Sequence, residues 1–421
     1  MKSLNYAILD IETSIQNEGD PFDPRNYICL VGIRTPSDTR IFDIHYSDTP
    51  YGENLLEIKK LLLEADIVVG FNLKFDLHWI KRYIHDIDYS TFRTWDCQLV
   101  EFLLSNQRIR FPALDEVCNY YHLGSKLDVV ASEYWNHGIE TKLVPFDTLF
   151  EYLTQDLDLT EKLYLKQTEL LEEGNHSEEF KRLIYLHNLD LLALQEMEFN
   201  GMLVDRDKIN TLQVEITEEL KTTNQKIKDI LNIPEDIPYN INSTAQLSAI
   251  LYGGAINYSG KIKKERVLKS GQIKITEING TLYHLMPQMF KPEKRSESVS
   301  TKSLSNAELE KLQQHAINTS GTAYPYRKYS TDLATLASLK TTSTKSKNFI
   351  DLLMTRSKLE QQLTTYLNKL PEMFDKHQWE NNIIHGQFNQ CVARTGRLSS
   401  SKPNLQNMDS KLHHLFISRF S

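Results

Sequence analysis

The 421-residue sequence predicts an α/β domain built on a mixed β-sheet, followed by a mainly helical region. Short apolar runs typical of strands alternate with longer runs of helical spacing up to about residue 171. Helical periodicity then dominates from residue 180 to about 374, except between residues 257 and 305, and strand-like pieces with a Ser-rich loop follow at 382–420. A hydrophobic fraction of 40% with 25% charged residues indicates a globular protein of two or three domains.

The elements of the first part follow from apolar spacing and from turn residues. Three strands, a helix, a strand and then further helices favour a mixed sheet flanked by helices. The Gly-Asn-His-Ser run at 174–177 marks a break, so we place the first domain at 1–175. The predicted strands are 6–11, 28–33, 40–45 and 67–70, and the predicted helices are 55–65, 75–84, 97–104, 114–121 and 146–171.

The second part reads as a helical region with an insertion. Residues 257–305 are rich in Lys, Ser, Thr and Gly, with short apolar pieces, and predict an inserted loop-and-hairpin element. We assign residues 178–380 to a second domain and residues 381–421 to an incomplete third one. Helices are predicted at 180–199, 206–231, 244–251, 332–339 and 348–374.

Charge and composition narrow the class of protein. The net charge is −8, yet Lys261–Lys302 holds ten basic and four acidic residues, which suits either a bound polyanion or a solvated insertion. There is no run of 18 apolar residues and no secretory leader, so we expect no membrane span. The four cysteines form no CxxC pair, and reduced thiols in the cytoplasm are expected.

Two carboxylates on the first strand open the search for chemistry. Asp10 and Glu12 lie two residues apart, so on a strand they point to the same face. Two such carboxylates repel one another unless a cation lies between them. Asp-x-Glu is common, however, and alone it predicts a metal site only weakly.

Two further groups could converge with this pair. Asp76 would lie in the first turn of a helix that follows the strand at 67–70. The helix dipole stabilises a carboxylate at that place, so Asp76 could also have a purely structural role. Asn72 could be an ordinary N-cap. Tyr152 and Asp156 lie four residues apart and therefore share one face of a long helix.

Taken together, the order and spacing of these residues resemble the DEDDy branch of the DnaQ-like 3′→5′ exonucleases. The resemblance implies an RNase H-like sheet and two divalent cations, Mg²⁺ or Mn²⁺. It implies that Asp10, Glu12 and Asp156 bind the cation that activates water, with Asp10 bridging to a second cation supported by Asp76. Tyr152 would hold the attacking water.

A second resemblance lies near the C-terminus. The string RTGRLSSSKPNLQN, residues 394–407, closely resembles a signature of the family A DNA polymerases, whereas an ordinary Ser-rich turn is the plain alternative. Its Arg and Lys cations, Ser hydroxyl groups and Asn and Gln amide groups suit contacts to the backbone and the minor groove of a DNA duplex. The residues that we assign to DNA binding are Asn72, Arg394, Arg397, Ser399, Lys402, Asn404, Gln406 and Asn407.

The family A resemblance extends upstream. Residues 242–247, 328–332 and 363–366 resemble landmarks of the polymerase thumb, which grips primer-template DNA. The basic segment Lys261–Lys302 falls within this thumb and could hold DNA or a processivity factor.

The resemblance implies proofreading during DNA replication in a bacterial or phage-infected cell. The resemblance makes residues 381–421 the start of an incomplete palm. The later palm and fingers motifs are not in the sequence, so we expect a split or truncated polymerase completed by a separate palm and fingers chain. The tail at 412–420 is apolar and strand-like. As an unpaired edge it would be a liability, so it invites strand addition by the missing chain. The alternatives are an RNase D-like RNA exonuclease and a non-catalytic DNA-binding subunit of a polymerase.

Overall fold

The computed structural model describes residues 4–174, 176–269, 271–291 and 329–419. The chain divides into two compact units. The first contains Met1–Thr211 and Tyr366–Ser421, and the second contains Leu212–Thr365. The division into domains at 1–175, 178–380 and 381–421 stays a prediction.

A five-stranded mixed sheet organises the first unit. Its order is β3-β2-β1-β4-β5, with β1 antiparallel to β2 and parallel to β4. The predicted mixed sheet is therefore confirmed, and β5 is an additional short strand. The strands are β1 (Tyr6–Thr13), β2 (Ile28–Arg34), β3 (Thr39–Asp43), β4 (Ile67–Gly70) and β5 (Thr94–Asp96).

Helices cover both faces of this sheet. Alternation along β1 sends Leu9 into the apolar cluster that contains Leu77, and Ile8 into the opposite cluster, which contains Leu157. The predicted helices are all present, and the five-residue helix α5 was not predicted. The helices are α1 (Gly52–Glu64), α2 (Leu73–Tyr83), α3 (Cys97–Leu104), α4 (Leu114–Tyr120), α5 (Val129–Glu133), α6 (Phe146–Glu173) and α7 (Glu178–Asn200).

Short strands complete the first unit. Strand β6 (Met202–Val204) precedes helix α8 (Arg206–Leu231), and the unit boundary falls within this helix. A π-helical turn at Gln362–Leu367 interrupts what the sequence predicts as one helix over 348–374. After it come helix Lys369–His377 and the strands Ile383–Ile384, Gln387–Asn389, Ser399–Ser401 and Phe416–Ile417.

The C-terminal tail differs from its prediction. Phe416 and Ile417 pair antiparallel with Val204 and Leu203, so this part of the tail is not an unpaired strand. The pairing forms one side of a three-stranded sheet within the first unit.

The second unit has its own apolar core and a long hairpin. The hairpin strands, β7 (Gly254–Val267) and β8 (Ile273–Met286), have 14 residues each, much longer than the short pieces predicted there. The basic stretch and the proposed insertion at 257–305 extend beyond residue 291, and their remainder lies outside the described residues, as does Lys328. The helices of this unit besides α8 are α9 (Thr244–Tyr252), α10 (Leu333–Ser338) and α11 (Thr344–Gln361).

Two general predictions can be compared with this structure. All four cysteines are free and buried. Within the described ranges, no helix combines the length and the apolar character needed to cross a bilayer.

Candidate metal centre

Asp10 and Glu12 lie on the face of β1 that is turned towards helix α6. Ile8, two residues earlier on that face, belongs to the apolar cluster that contains Leu157 of α6. Asp10 is half-buried and Glu12 is buried. The predicted common face of the two carboxylates is therefore present, and it faces a helix rather than solvent.

A glycine on the neighbouring strand brings α6 close to Asp10. Gly32 is the cross-strand partner of Asp10. A Cβ atom at Gly32 would lie 2.7 Å from Leu157 Cδ1 and 3.1 Å from Leu153 Cγ. The missing side chain therefore allows the helix to pack directly on the sheet.

Asp156 of α6 meets the strand carboxylates. One potential ligand atom from each of Asp10, Glu12 and Asp156 lies within 4.8 Å of the other two. The Oδ1 atom of Asp156 is buried and has no hydrogen-bond partner. Tyr152, one helical turn earlier, is also buried, so helix and strand deliver the predicted residues to one place.

The electrostatics of this cluster favour a cation. Burial and the neighbouring Asp156 raise the pKa of Asp10 to about 7. Burial, with Asp10 and Asp156 nearby, also raises the pKa of Glu12 well above its usual range. Clustered oxygen ligands and an orphaned carboxylate oxygen are what a hard divalent cation needs, so these residues fit Mg²⁺ or Mn²⁺.

Asp76 lies in the first turn of α2 and is 3% exposed. Burial is the main cause that raises its pKa, followed by the charge of Asp10 and then that of Asp96. The first turn of the helix does not by itself explain the site, because a solvated carboxylate would satisfy the helix dipole as well. Asp76 is therefore close enough to Asp10 for their charges to interact, but it is not one of the three carboxylates whose oxygens converge within 4.8 Å.

Asn72 is the residue before α2 and has φ of 61°. Its side chain makes no capping hydrogen bond, so the ordinary N-cap alternative does not describe it. Asp96 instead accepts hydrogen bonds from the backbone N–H groups of Asn72 and Leu73, at 3.2 and 3.0 Å. Asp96 therefore fixes the strand-to-helix turn that carries Asn72, a role that the sequence did not reveal.

Lys126 is the residue at the cluster that sequence reasoning missed. Its Nζ atom forms an ion pair with Asp156 Oδ2 and lies 4.6 Å from the centre of the Tyr152 ring. Burial raises the pKa of Asp156, and the nearby Lys126 ammonium opposes that rise. The lysine comes from the loop between α4 and α5, and no spacing rule connects it with α6.

The predicted DNA-binding residues of 394–407 lie on and around a short hairpin. Ser399 begins its second strand and is half-buried, and Asn404 is half-buried as well. Lys402 Nζ lies 2.5 Å from Glu18 Oε2, whereas Arg394 and Arg397 form no ion pair with any described residue. The exposed members of the set are Arg394, Arg397, Lys402, Gln406 and Asn407.

A cleft in the first unit joins part of this set to the start of α2. The residues that line it include Asn72, Phe75, Ser399 and Lys402. Three of the predicted DNA-binding residues are thus brought together. The remaining five (Arg394, Arg397, Asn404, Gln406 and Asn407) do not line this cleft.

Comparison with known proteins relates the chain to the DNA polymerases. Residues 272–418 match the model of DNA polymerase family A. A DNA polymerase of Bacillus phage SP01 is 23% identical over 369 residues, which cover 85% of this chain and 36% of the relative. DNA polymerase I of Synechocystis is 26% identical over 318 residues, covering 74% and 24% of the two chains. The chain therefore spans about a third or less of the length of these relatives.

A solved structure agrees at the level of the fold. It is described as the POL domain of Pol1 from M. smegmatis in complex with DNA primer-template and dNTP. The TM-score is 0.54 at 18% identity, covering 97% of this chain and 53% of the other. Residues 272–418 are thus similar to family A of the DNA polymerases, and the two relatives that match more of the chain are DNA polymerases at 23–26% identity. A separate palm and fingers chain and a processivity factor stay predictions.

Proposed function

We propose that this chain is a metal-dependent 3′→5′ DNA exonuclease that proofreads during replication by a family A DNA polymerase. One observation carries the proposal: Asp10, Glu12 and Asp156 place their oxygens within 4.8 Å of one another, and Asp156 Oδ1 is buried without a partner. Three carboxylates this close repel one another, and a divalent cation would offset that repulsion by contacting all three at once. The RNase H-like exonuclease fold is part of the same proposal.

Each residue has a separate task in this proposal. Two divalent cations, when bound, would lower the pKa of a water and offset charge on the scissile phosphate. Asp10, Glu12 and Asp156 hold the first cation, and Asp10 with Asp76 holds the second. The Tyr152 hydroxyl, one turn before Asp156, orients the attacking water by a hydrogen bond.

The C-terminal hairpin supplies the DNA contacts in this proposal. Arg394, Arg397 and Lys402 are exposed cations that suit phosphate oxygens. Ser399, Asn404, Gln406 and Asn407 offer hydroxyl and amide groups for the primer-template minor groove. Asn72 lies in the same cleft as Ser399 and Lys402, which suits a single-stranded 3′ end that approaches the carboxylates.

The test is degradation of a 5′-labelled single-stranded DNA oligonucleotide with Mg²⁺ or with EDTA. We expect stepwise shortening from the 3′ end that needs Mg²⁺ and is abolished in Asp156→Ala. The matched control is Asp158→Ala, which changes a half-exposed carboxylate paired with Lys162 on the same helix. Equal loss of activity in both variants would contradict the assigned site.

Two alternative functions give different results in this assay. An RNA exonuclease would shorten a labelled RNA of the same sequence in preference to DNA. A non-catalytic DNA-binding subunit would bind primer-template DNA without shortening it. Asp156→Ala would then leave the result of the assay unchanged. Residues 394–407 favour the DNA reading, because exposed cations and amides around one hairpin suit a duplex.

A further inference from the structure

The ion pair between Lys126 and Asp156 places a positive charge of the protein beside the candidate metal ligands. We propose that Lys126 is a resident counter-ion of this centre, held on Asp156 in the metal-free protein and displaced from it when a divalent cation binds. This inference rests on the proposed function. It adds a residue outside the three sequence motifs and assigns it a competition with the metal.

The backbone around Lys126 is fixed to elements of the site. The Lys126 N–H donates to Asp115 Oδ1 at 2.9 Å, and the Leu127 N–H donates to Gln155 Oε1 at 2.6 Å. Gln155 in turn donates from Nε2 to the Ser125 carbonyl at 3.1 Å. Because Gln155 precedes Asp156 on α6, these hydrogen bonds hold the loop so that Lys126 lies beside the carboxylate with which it pairs.

The side chain, in contrast, has room to move. It is 30% exposed, whereas the Asp156 side chain is 6% exposed. Four rotatable bonds let the ammonium leave Asp156 and reach solvent while the backbone stays anchored. Both Asp156 and the face of Tyr152 hold the ammonium in its present place.

A comparison of charges explains why a divalent cation should displace the Lys126 ammonium from Asp156. It supplies one positive charge and contacts Asp156 Oδ2, while Asp156 Oδ1 stays without a partner. A divalent cation carries twice the charge and can contact Asp10, Glu12 and Asp156 together, since their oxygens converge. When the cation takes Asp156, the released ammonium turns to solvent.

A purely structural salt bridge predicts the opposite sign. If Lys126 only held Asp156 in place, its removal would disorder a ligand and weaken cation binding. If Lys126 competes with the cation, its removal relieves the competition and strengthens cation binding. The direction of the change therefore distinguishes the two roles.

The experiment measures Mn²⁺ binding to the full chain by calorimetry, without DNA. We expect Lys126→Gln to bind Mn²⁺ roughly 5- to 150-fold more tightly than the wild-type protein, the usual range of coupling between two sites. Lys126→Arg retains the charge and should bind like the wild type. The matched control is Lys162→Gln, which removes a lysine paired with Asp158 on the same helix and should leave Mn²⁺ affinity unchanged.

The outcomes separate this inference from the proposed function. Unchanged or weaker Mn²⁺ binding by Lys126→Gln, with a normal circular dichroism spectrum, overturns the counter-ion role and leaves the exonuclease proposal intact. If Lys126→Gln does not fold, Lys126→Arg provides the test. Mn²⁺ binding by Lys126→Arg that is severalfold tighter than that of the wild type overturns the counter-ion role. Absence of Mn²⁺ binding by the wild-type protein overturns both proposals together.

Discussion

Lys74 Nζ lies 2.6 Å from Glu198 Oε1, and both side chains are largely withdrawn from solvent. Lys74 belongs to α2, the helix that carries Asp76, and Glu198 belongs to α7. Glu198 also contacts His78 Nε2 at 2.9 Å and accepts from the Phe388 N–H at 2.6 Å. One carboxylate therefore connects the helix of a candidate metal ligand with the strand that pairs beside Ser399–Ser401.

Removing this carboxylate should destabilise the first unit. Glu198→Ala leaves the largely buried Lys74 ammonium without its counter-ion, with only the Phe388 carbonyl as a partner. We expect this to cost about 3–5 kcal/mol in the free energy of unfolding. The measurement is urea unfolding followed by tryptophan fluorescence. Glu196→Ala is the control, because Glu196 pairs with Lys81 between the same two helices but is 53% exposed, so its loss should cost about 0–1 kcal/mol.

Tyr152 should affect the rate of cleavage and not the binding of metal. Tyr152→Phe keeps the buried ring but removes the hydroxyl that we assign to the attacking water. We expect kcat for 3′ cleavage to fall roughly 100-fold, the usual effect of losing one aligned hydrogen-bond group, with Mn²⁺ affinity unchanged. Tyr164→Phe is the control, since Tyr164 is a buried tyrosine of the same helix whose ring meets Trp95 edge to face. A weakened Mn²⁺ affinity in Tyr152→Phe would speak against the assigned role.

The raised pKa of Asp10 predicts a pH dependence of both metal binding and stability. A carboxyl with a pKa of about 7 must release its proton before it binds a cation. Because the pKa of Glu12 is raised as well, Mn²⁺ affinity should rise by at least about tenfold per pH unit as the pH approaches 7. Without a bound cation, in EDTA, the stability of the protein changes with pH in the opposite direction to the Mn²⁺ affinity. The folded protein retains a proton that the unfolded chain releases near pH 4, so the free energy of unfolding falls as the pH rises from about 4 to 7.

Asp10→Asn is the variant that isolates this effect. It cannot titrate, so its unfolding free energy in EDTA should fall less steeply over that window than that of the wild type. Urea unfolding at pH 5, 6 and 7 gives the comparison. Identical pH profiles for the two proteins would mean that Asp10 does not carry the raised pKa.

The carboxylates of the candidate site were predictable because their placement depends on local periodicity. Residues two apart on a strand and four apart on a helix share a face in any fold, so Asp10 with Glu12, and Tyr152 with Asp156, follow from sequence alone. The buried helices and the strands of the sheet were predictable for the same reason. What periodicity could not provide is the side of the sheet on which α6 packs, which depends on Gly32.

Features that depend on contacts between distant segments were not predictable. Lys126 reaches Asp156 from a loop, and the pair is 30 residues apart. Lys402 pairs with Glu18 across 384 residues. Strand β5 has only three residues and runs directly into α3, so no alternation is long enough to reveal it. The π-helical turn at Gln362–Leu367 lies within a continuous helical pattern of the sequence. Its position depends on tertiary packing and not on the periodicity of apolar residues.

The pairing of Lys402 with Glu18 predicts how the hairpin cations contribute to DNA binding. Arg394 and Arg397 have no such competitor among the described residues, so each is available for a phosphate. Substituting either with Ala should reduce the salt dependence of primer-template affinity by about one unit of log K against log salt concentration. Fluorescence anisotropy with a labelled duplex between 50 and 200 mM KCl, salt concentrations of about the usual range, measures this slope.

Glu18→Gln should act in the opposite direction. A phosphate that binds Lys402 must first replace the Glu18 carboxylate, whose pKa is lowered mainly by that hydrogen bond. Removing the competing charge should therefore strengthen primer-template binding by up to about fivefold, the limit set by an exposed ion pair. Asp38→Asn, which removes an exposed carboxylate paired with Arg40 on the edge strand β3, is the control and should change nothing. Equal gains in both variants would indicate that net charge, and not the release of Lys402, controls the affinity.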